Sequence, residues 1–455
     1  MSRLLWLHQN FVGEGQPGNA RAVHLLRALN EAGWQVDVVS GTQTYLGDVV
    51  ARGGDVEGSG RVRVHRVDLG FRAVDTSARP GAYLAFARRA FALARRLPRP
   101  DLVYASSPPL PQVVPSALLA AVWGVPLVLE VRDLWPAFLI EGGVLRSRPL
   151  VAAMRAIEAF ALRYASRVVL VSPGFQPAVE GMGVDPARTR VVPTGVDPIL
   201  ANVDRSAGEA WRRAQGLQDR FLVLYAGSFN ETYGTELLLE AAEVSQREIP
   251  QAVWLFAGNG RTRAAVEEAA RRLPNVRYLG SLPKSELTPV LLAADVGINA
   301  HADWPLLDTT LTGKLFDYLA VGLPAISLRG GTMGLLLERT GGGRVARTRS
   351  VAALLAEVRS LAAEPETERW RRAGASRSWS HEHLGADGLA RGILEELDAA
   401  CRDGPRGGPL RLIGASLGAL TDLARGRSER ALAPLRDARR EPVLRAAFER
   451  WAGSL

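Results

Sequence analysis

Short apolar runs rich in Leu and Val alternate with stretches of helical periodicity through the first half of the chain. The runs have the length of buried strands, and the amphipathic stretches between them are long enough for helices. Such alternation predicts βα units that form a parallel sheet. The predicted strands are residues 4–7, 35–40, 62–67, 101–105, 126–131, 167–171 and 190–192. The predicted helices lie near residues 20–32, 82–97, 111–123, 149–165 and 174–181.

The alternation resumes after a polar link, DPILANVDRSAGEA, around residues 197–210. The predicted strands are residues 221–225, 252–256, 276–279, 296–299, 324–328 and 343–345, and the predicted helices are residues 235–248, 261–272, 284–293, 312–321, 350–363 and 367–378. The pattern therefore predicts an α/β fold of two doubly wound parallel-sheet domains, residues 1–198 and 199–380. Ligands of such sheets bind beyond the carboxyl ends of the strands, so two domains that face each other predict a site in a cleft.

Residues 381–455 are predicted to form a returning helix and a basic amphipathic tail. The segment DGPRGGP at residues 403–409 interrupts the helical periodicity. Two apolar stripes follow at helical spacing: Ile413, Leu417, Leu420 and Ala424, and then Leu444, Phe448, Trp451 and Leu455. These stripes fit two hypotheses, helices packed on the body of the protein or an interfacial helix held against anionic lipid.

The basic charge is concentrated at the end of the chain. The 455 residues carry a formal net charge of +9, and residues 401–455 hold eleven Arg against six acidic residues. Only two of the 56 basic residues are lysines, Lys284 and Lys314. The body is close to neutral and lacks a basic stripe interleaved with aromatic residues, which argues against a nucleic-acid partner.

Cysteine usage and hydropathy point to a cytoplasmic protein. Cys401 is the only cysteine, so an intrachain disulfide and a cysteine-based zinc site are excluded. The first residues carry an apolar run too short for a signal peptide. The longest apolar stretch, about residues 117–129, is shorter than the ~18–20 residues that a membrane-spanning helix requires.

A glycine-rich loop separates the first predicted strand from the first predicted helix. Residues 13–18, GEGQPG, fit the dinucleotide pattern G-x-G-x-x-G. That fingerprint places its glycines directly after the strand, whereas residues 9–12 intervene here, and Ser40 and Gly41 stand where an acidic ribose ligand is expected. The loop is therefore a weak indication of NAD(P) binding. Amides at a helix start also suit a phosphate or a closely approaching substrate, and an ordinary loop is the third interpretation.

Polar residues follow the apolar strand at residues 126–131. Arg132, Asp133 and Trp135 come directly after it, at the carboxyl end of a predicted parallel strand. A carboxylate beside an arginine and a tryptophan at such a place is typical of a group that binds a hydroxyl or accepts its proton. A structural ion pair between Arg132 and Asp133 explains the same residues equally well.

Glycines end two successive strands of the second half, in YAGSF at residues 225–229 and in FAGNGR at residues 256–261. Each loop leads into a helix, a geometry suited to cradling a diphosphate, and Arg261 is expected to add a charge-assisted contact.

The most specific segment begins a helix with Thr312, Gly313 and Lys314. Backbone amides, a hydroxyl and an ammonium group are expected to converge there on one anion. Asp317 lies one turn further on, placed to accept hydrogen bonds from sugar hydroxyls. The alternative is an i,i+3 surface ion pair between Lys314 and Asp317.

Taken in order, these motifs resemble the family 4 glycosyltransferases of GT-B architecture, in particular the bacterial polysaccharide-assembly branch with its WbuB-type fucosaminyl transferases. The resemblance covers roughly residues 1–400 and is carried by GNARAVHLLRALNEAGWQVDVVS, DLVYASSPPL, LVLEVRDLWP, VVPTGVD, YAGSF, FAGNG and TGKLFDYLAVGLP. It implies transfer of a hexosyl or N-acetylhexosaminyl group from a nucleotide diphosphate, a UDP-sugar, to an acceptor hydroxyl with retention. It implies no metal and no cofactor, and the sequence contains no D-x-D motif.

The resemblance also assigns residues to the two substrates. It implies a lipid-linked acceptor, such as a polyprenyl carrier, and it is compatible with an anionic membrane surface bound through residues 405–455. The donor residues are Gly227, Ser228, Gly258, Asn259, Arg261, Thr312, Gly313 and Lys314 near the diphosphate, Leu282 near the base and Asp317 at the ribose. The acceptor residues are Gly15, Gly18, Asn19, Arg132 and Trp135, with Asp133 as the catalytic group.

Two family motifs are altered in this chain. The E-x7-E pair falls on Thr309 and Asp317, and the Arg and Lys of the GR…KG loop correspond to Ser228 and Tyr233. The diphosphate charge is then expected to be met by Lys314 and Arg261, and neither Asp308 nor Thr309 is a secure replacement for the lost Glu. Two alternatives stay open, a UDP-sugar 2-epimerase of the same fold and a non-catalytic nucleotide-sugar-binding protein.

Overall fold

The protein forms two compact units. The computed structural model describes residues 2–11, 20–42, 60–68, 79–404 and 409–455. The first unit comprises Met1–Pro193 and Asp387–Arg439, and the second comprises Thr194–Ala386 and Arg440–Leu455. Two of the chain segments that connect the units are paired, because Val196 N–H donates to the Leu384 carbonyl (2.7 Å) and Ala386 N–H donates to the Val196 carbonyl (3.0 Å).

A parallel seven-stranded sheet forms the centre of the first unit. Its strands are β1 (Arg3–Leu7), β2 (Gln35–Gly41), β3 (Val62–Val67), β4 (Leu102–Ser107), β5 (Leu127–Val131), β6 (Arg167–Leu170) and β7 (Thr189–Val191). They lie in the order β3-β2-β1-β4-β5-β6-β7. Every residue of β4 and β5 is buried, as expected for strands covered on both faces.

Six helices of this unit precede or follow these strands along the described part of the chain. They are α1 (Ala20–Glu31), α2 (Arg79–Ala94), α3 (Val113–Trp123), α4 (Ala137–Glu141), α5 (Arg148–Tyr164) and α6 (Gln176–Gly181). The apolar faces of α1 and the sheet share one core, in which Trp6 and Leu26 are almost fully buried.

A parallel six-stranded sheet forms the centre of the second unit, in the order β10-β9-β8-β11-β12-β13 once its strands are numbered along the chain. The strands are β8 (Phe221–Ala226), β9 (Ala252–Ala257), β10 (Val276–Gly280), β11 (Val296–Asn299), β12 (Ala325–Leu328) and β13 (Gly343–Ala346). The helices are α7 (Ser206–Gln215), α8 (Thr235–Glu248), α9 (Arg263–Arg272), α10 (Lys284–Ala293), α11 (Gly313–Val321), α12 (Gly331–Thr340), α13 (Val351–Ala363) and α14 (Glu366–Leu384).

The predicted fold class, two doubly wound parallel-sheet domains, is confirmed, and each predicted strand has its counterpart within two residues. Three of the helices described before residue 381 were missed, α4, α7 and α12. The residues 197–210, predicted as a link, contain the start of α7. This helix packs so closely on α10 that a Cβ on Gly208 would lie 2.5 Å from the Leu292 carbonyl carbon. Helix α12 contains two glycines, which lower helix propensity, and Gly334 lets it pack on Val345.

The described part of the C-terminal region contains four helices, α15 (Ala386–Asp403), α16 (Pro409–Ala424), α17 (Arg427–Arg436) and α18 (Arg440–Ala452). The sequence predicted a single segment, residues 381–455, whereas these helices divide between the units. Ile393 and Leu397 of α15 lie in the core of the first unit. Helix α18 belongs to the second unit. No helix of the described residues is long and apolar enough to cross a membrane.

The two apolar stripes of the tail have different surroundings. Leu444, Phe448 and Trp451 of α18 are buried, which confirms the packed-helix hypothesis for these three positions of the second stripe, whereas Leu455 is 41% exposed. The first stripe, on α16, is exposed. The other face of α16 packs on α5, where Asp422 accepts two hydrogen bonds from Arg163 (2.6 and 2.9 Å). The first stripe therefore points away from the unit that carries it.

Candidate functional site

Strands β8 and β11 are neighbours at the point where the strand order of the second sheet reverses. Ligands of open α/β sheets bind outside the carboxyl ends of the strands at such a switch point. Here the carboxyl end of β8 leads into residues 225–229, and that of β11 leads towards His301. The first turn of α11 carries Lys314 to this same place, because its ammonium group lies against the rings of Tyr225 at the end of β8 and Tyr233 in the segment that follows β8.

The ammonium group of Lys314 has aromatic neighbours and, among the described residues, no counter-ion. Its Nζ lies 3.8 Å from the ring centroid of Tyr233 and 4.9 Å from that of Tyr225. Nζ is buried and makes no hydrogen bond within the part of the chain that the structure describes. Burial lowers the pKa of Lys314 to about 7, and burial followed by the charge of Lys314 lowers the pKa of His301. A buried amine without an acceptor is costly, which makes this place receptive to an anion.

The glycines of the two loops are required by close approach. A Cβ on Gly227, whose φ is +149°, would lie 3.0 Å from Lys314 Cε, and one on Gly258 would lie 1.8 Å from the Gly227 carbonyl oxygen. The Gly227 and Gly258 amides donate to the carbonyls of Ala257 (2.9 Å) and Gly280 (2.8 Å). These two amides therefore continue the pairing of the strands instead of pointing at a ligand.

The remaining loop residues also have local partners. The Ser228 carbonyl accepts from the Tyr225 hydroxyl (2.8 Å), and the side-chain oxygen of Asn259 accepts from Gly260 N–H (2.8 Å). Arg261 is 68% exposed and pairs with Glu231 at 2.7 Å. Of the two cations expected at the diphosphate, Arg261 already has a carboxylate partner, whereas Lys314 has none among the described residues.

The N-terminus of α11 offers an open approach. A Cβ on Gly313 would meet nothing within 4 Å. The Thr312 hydroxyl instead donates to the side-chain oxygen of Asn299 at 2.9 Å. The hydroxyl is therefore not available to the predicted anion site as a donor. It fixes the start of α11 to the end of β11 instead.

Asp317 pairs with the other lysine. Its carboxylate, 21% exposed, lies 2.5 Å from Lys284 Nζ. Burial raises the pKa of Asp317, and Lys284 opposes that shift. The alternative of an i,i+3 pair between Lys314 and Asp317 is therefore wrong, because Lys284 at the start of α10 supplies the partner. Leu282, expected near the base, is half-buried two residues before Lys284.

The position of the family's missing Glu is occupied by a buried hydroxyl. Thr309 Oγ donates to the Leu306 carbonyl (2.6 Å). The adjacent Asp308 carboxylate pairs with Arg440 of α18 (2.9 Å) and with Arg329 (3.2 Å). Both side chains are engaged in contacts that hold the loop preceding α11 in place, which supports the inference that neither replaces the Glu.

A second group of polar residues lies at the carboxyl ends of β1 and β5 in the first unit. Glu130 accepts from Arg21 (2.7 Å) and from Ser106 (2.9 Å). Burial alone would raise its pKa, but Arg21 and Arg132 lower the pKa of Glu130 to about 2. This fully buried ion pair fixes the end of β5 from which Arg132 and Asp133 project.

Asp133 has no ion-pair partner in the described ranges of the chain. Burial raises the pKa of Asp133 to about 6, against the opposing charge of Arg132. Arg132 itself lies beside His8, with 3.3 Å between Nη1 and Nε2. The structural ion pair between Arg132 and Asp133 is thus absent from the described residues. Trp135 packs edge-on to Tyr83, with ring centroids 5.8 Å apart. Gly15, Gly18 and Asn19 lie outside the described residues.

Sequence reasoning missed His8, Glu130 and Lys284 as members of these groups. The scarcity of lysine was the available signal for Lys284, since one lysine of the chain lies in α11 and the other pairs with Asp317 of that helix. No local pattern predicts His8 or Glu130 as site residues, because Arg132 beside His8 and Arg21 beside Glu130 are each more than a hundred residues away from their partner.

Three solved structures of similar fold are distant in sequence. HepE from Anabaena, solved in complex with UDP, is 17% identical, with 88% of this chain and 100% of that chain covered and a TM-score of 0.64. The sucrose-phosphate synthase of Thermosynechococcus elongatus is 18% identical over 88% and 100%, with a TM-score of 0.70. WaaG, a glycosyltransferase involved in lipopolysaccharide biosynthesis, is 15% identical over 86% and 98%, with a TM-score of 0.61. None of the curated proteins compared matches the sequence.

Two family models match most of the chain. Residues 18–195 match the glycosyl transferase 4-like domain, and residues 220–364 match the glycosyl transferases group 1 domain. The first match covers β2 to β7, and the second covers the whole six-stranded sheet together with Lys314. With this pair of domains, the chain belongs to the GT4-type glycosyltransferases.

Proposed function

We propose that the protein transfers a sugar from a UDP-sugar to the hydroxyl of a lipid-linked acceptor, with retention and without metal, in surface polysaccharide or glycolipid assembly. The observation that supports a nucleotide-diphosphate donor is the buried Lys314 ammonium at the switch point of the second sheet, which has no hydrogen-bond partner in the described part of the chain. A diphosphate would supply the anion that this buried amine lacks.

The donor would occupy the space in front of α11. The open surroundings of Gly313 and the helix N-terminus favour phosphate oxygens there, while Asp317 would accept from the ribose and Leu282 would contact the base. HepE, which has the same fold, has been solved with UDP and with UDP-glucose. These complexes support a uridine donor for this chain as well.

The acceptor would bind to the first unit. Asp133 lies at the carboxyl edge of its sheet, without an ion-pair partner among the described residues, where it could receive the proton of an attacking hydroxyl. Catalysis would then rest on positioning and on neutralising the departing diphosphate, the terms that dominate where no covalent intermediate forms. The retaining outcome and the WbuB-type subfamily are inferred from the family resemblance.

A donor screen followed by a transfer assay tests this function. We expect one UDP-sugar in a panel of nucleotide sugars to raise Tm, and the same sugar to be transferred to a polyprenyl-linked acceptor in the presence of EDTA. The anomeric configuration of the product, read by NMR, checks retention. Conversion of the donor without acceptor would establish the epimerase instead, and binding without turnover across an acceptor panel would establish a non-catalytic binding protein.

A lipid-linked acceptor calls for apposition to a membrane, and α16 carries a suitable surface. Ile413, Leu417 and Leu420 are 56%, 61% and 57% exposed, and their spacing places them on one helix face. Asp422 and Arg163 fix the other face of α16 to α5. The tail that carries this stripe holds eleven Arg against six acidic residues, a basic balance that favours anionic lipid.

Replacing all three residues of the α16 stripe with Ser is expected to lower binding to phosphatidylcholine–phosphatidylglycerol vesicles by about 100-fold or more, since each buried aliphatic side chain contributes ~1.5–3 kcal/mol. Co-sedimentation measures the partition coefficient. Ile199→Ser is the matched control, because Ile199 in the second unit is equally exposed at 56%. Equal partitioning of the triple variant and the control would exclude α16 as the membrane contact.

A further inference from the structure

The contact between Arg132 and His8 defines the protonation of the histidine. Arg132 Nη1 lies 3.3 Å from His8 Nε2. A guanidinium can only donate, so Nε2 must accept, and the His8 ring is neutral with its proton on Nδ1. Burial and then the charge of Arg132 lower the pKa of His8 to about 3, which keeps the ring neutral through the physiological range.

The position of Arg132 matters because Asp133 is its neighbour in sequence. Arg132 N–H donates to the Ser107 carbonyl (2.7 Å), which anchors the backbone at this point to the end of β4. The guanidinium could turn to either side of this anchor, and an arginine ordinarily pairs with a nearby carboxylate. In this structure the guanidinium contacts His8 and forms no ion pair with Asp133 among the described residues.

The other charged groups around this cluster have partners of their own. Glu130 of β5 is held by Arg21 of α1. Arg66 of β3 donates to the Phe11 carbonyl (2.6 Å) and to Ser40 (3.1 Å). Whether Asp133 forms an ion pair therefore depends on the side to which the Arg132 guanidinium turns.

We propose that His8 is a positioning residue, which holds the Arg132 guanidinium at the end of β1 and thereby keeps Asp133 out of an ion pair. This inference rests on the proposed function, in which Asp133 accepts the proton of the acceptor hydroxyl. An arginine partner would stabilise the carboxylate and make it a weaker base. A neutral acceptor such as His8 binds the guanidinium without adding a charge beside Asp133.

The test compares His8→Phe, which removes the acceptor nitrogen, with His8→Gln, which retains an acceptor. The titration of Asp133 is followed by NMR of [13Cγ]Asp-labelled full-length protein, assigned with Asp133→Asn. We expect a midpoint of about 6 in the native protein and in His8→Gln. In His8→Phe the midpoint is expected to fall to about 4 or below, because Arg132 turns to Asp133. Adding Arg132→Met to His8→Phe is expected to return the midpoint to about 6 or above.

An unchanged midpoint in His8→Phe would overturn the positioning role, as would an equal fall in His8→Gln. Should His8→Phe not fold, His8→Leu provides the same loss of the acceptor. The acid limb of the rate profile is measured in parallel and should move with the midpoint. A midpoint that moves while the rate profile stays fixed would leave the positioning role intact and contradict the proposed function of Asp133.

Discussion

Lys314→Met is expected to lower kcat/KM for the sugar donor by about 1,000-fold or more while leaving the protein folded. The ammonium group is the one cation of the described donor site whose Nζ is buried without a hydrogen bond. Charged groups that neutralise a departing phosphate typically contribute 10²–10⁵-fold, so its loss should dominate any other change in this unit. Steady-state kinetics with the donor found by the screen gives the value.

The thermal stability of Lys314→Met should be higher than that of the native protein, although its activity is lower. Burial lowers the pKa of Lys314 from its usual value to about 7, so the folded protein binds this proton less tightly than the unfolded chain does. The resulting destabilisation is full below pH 7 and disappears as the pH rises to about 10. Lys314→Met is therefore expected to raise Tm at pH 7, by about 2–4 °C for each kcal/mol recovered, and to leave it unchanged near pH 10.

Arg261→Ala is the matched control, because Arg261 is the other cation expected at the diphosphate. It is exposed and paired with Glu231, and exposed ion pairs contribute at most ~1 kcal/mol. We expect less than about a tenfold loss of kcat/KM. A larger effect of Arg261→Ala than of Lys314→Met would refute the assignment of the diphosphate to Lys314.

Asp133→Asn is expected to lower kcat by about 100-fold to 10,000-fold at pH 7.5, the usual contribution of a positioned proton acceptor. Burial raises the pKa of Asp133 to about 6, so the native carboxylate is ionised at pH 7.5 and protonated below pH 6. The native kcat/KM should accordingly fall about tenfold per pH unit below pH 6. The residual activity of the variant should lack this acid limb.

The stability of Asp133→Asn separates catalysis from folding. A carboxyl group with a raised pKa in the folded state destabilises it above pH 6 and has no effect below about pH 4. The variant should therefore have an equal or higher Tm at pH 7.5 and an unchanged Tm at pH 3.5. Asp101→Asn is the control at the amino-terminal edge of the same sheet, where Asp101 accepts from Arg3 N–H, and it should retain full activity. Full activity of Asp133→Asn itself would remove Asp133 from the mechanism.

The strands were predictable because parallel strands buried on both faces have a local signature of continuous apolar residues. The order of these strands places β8 beside β11 and β1 beside β4, and no local pattern encodes that choice. Helices α7 and α12 were missed because polar and glycine-rich sequences form helices here only through packing against α10 and β13.

The chemical character of the site was also partly visible in the sequence. Lys314 could be singled out because it starts a helix and is one of two lysines in the chain. Its lack of a counter-ion within the described ranges could not be predicted, because the nearest acidic residue on its own helix, Asp317, pairs with Lys284 of α10. In the same way, Asp133 was recognisable as a residue at a strand end, but its freedom from Arg132 depends on His8, which is far away in sequence.

By itself, then, the sequence determined the two parallel-sheet domains, the places where loops end their strands and the residue types available for an anion and a hydroxyl. Those properties follow from hydrophobic periodicity and helix starts, which act over a few residues. Only the tertiary structure decided which charges are paired among the described residues and which are not, as with Lys314 and Asp133. Pairing and burial depend on residues brought together from distant segments. They shift the pKa values of Lys314 and Asp133, which composition and spacing alone do not determine.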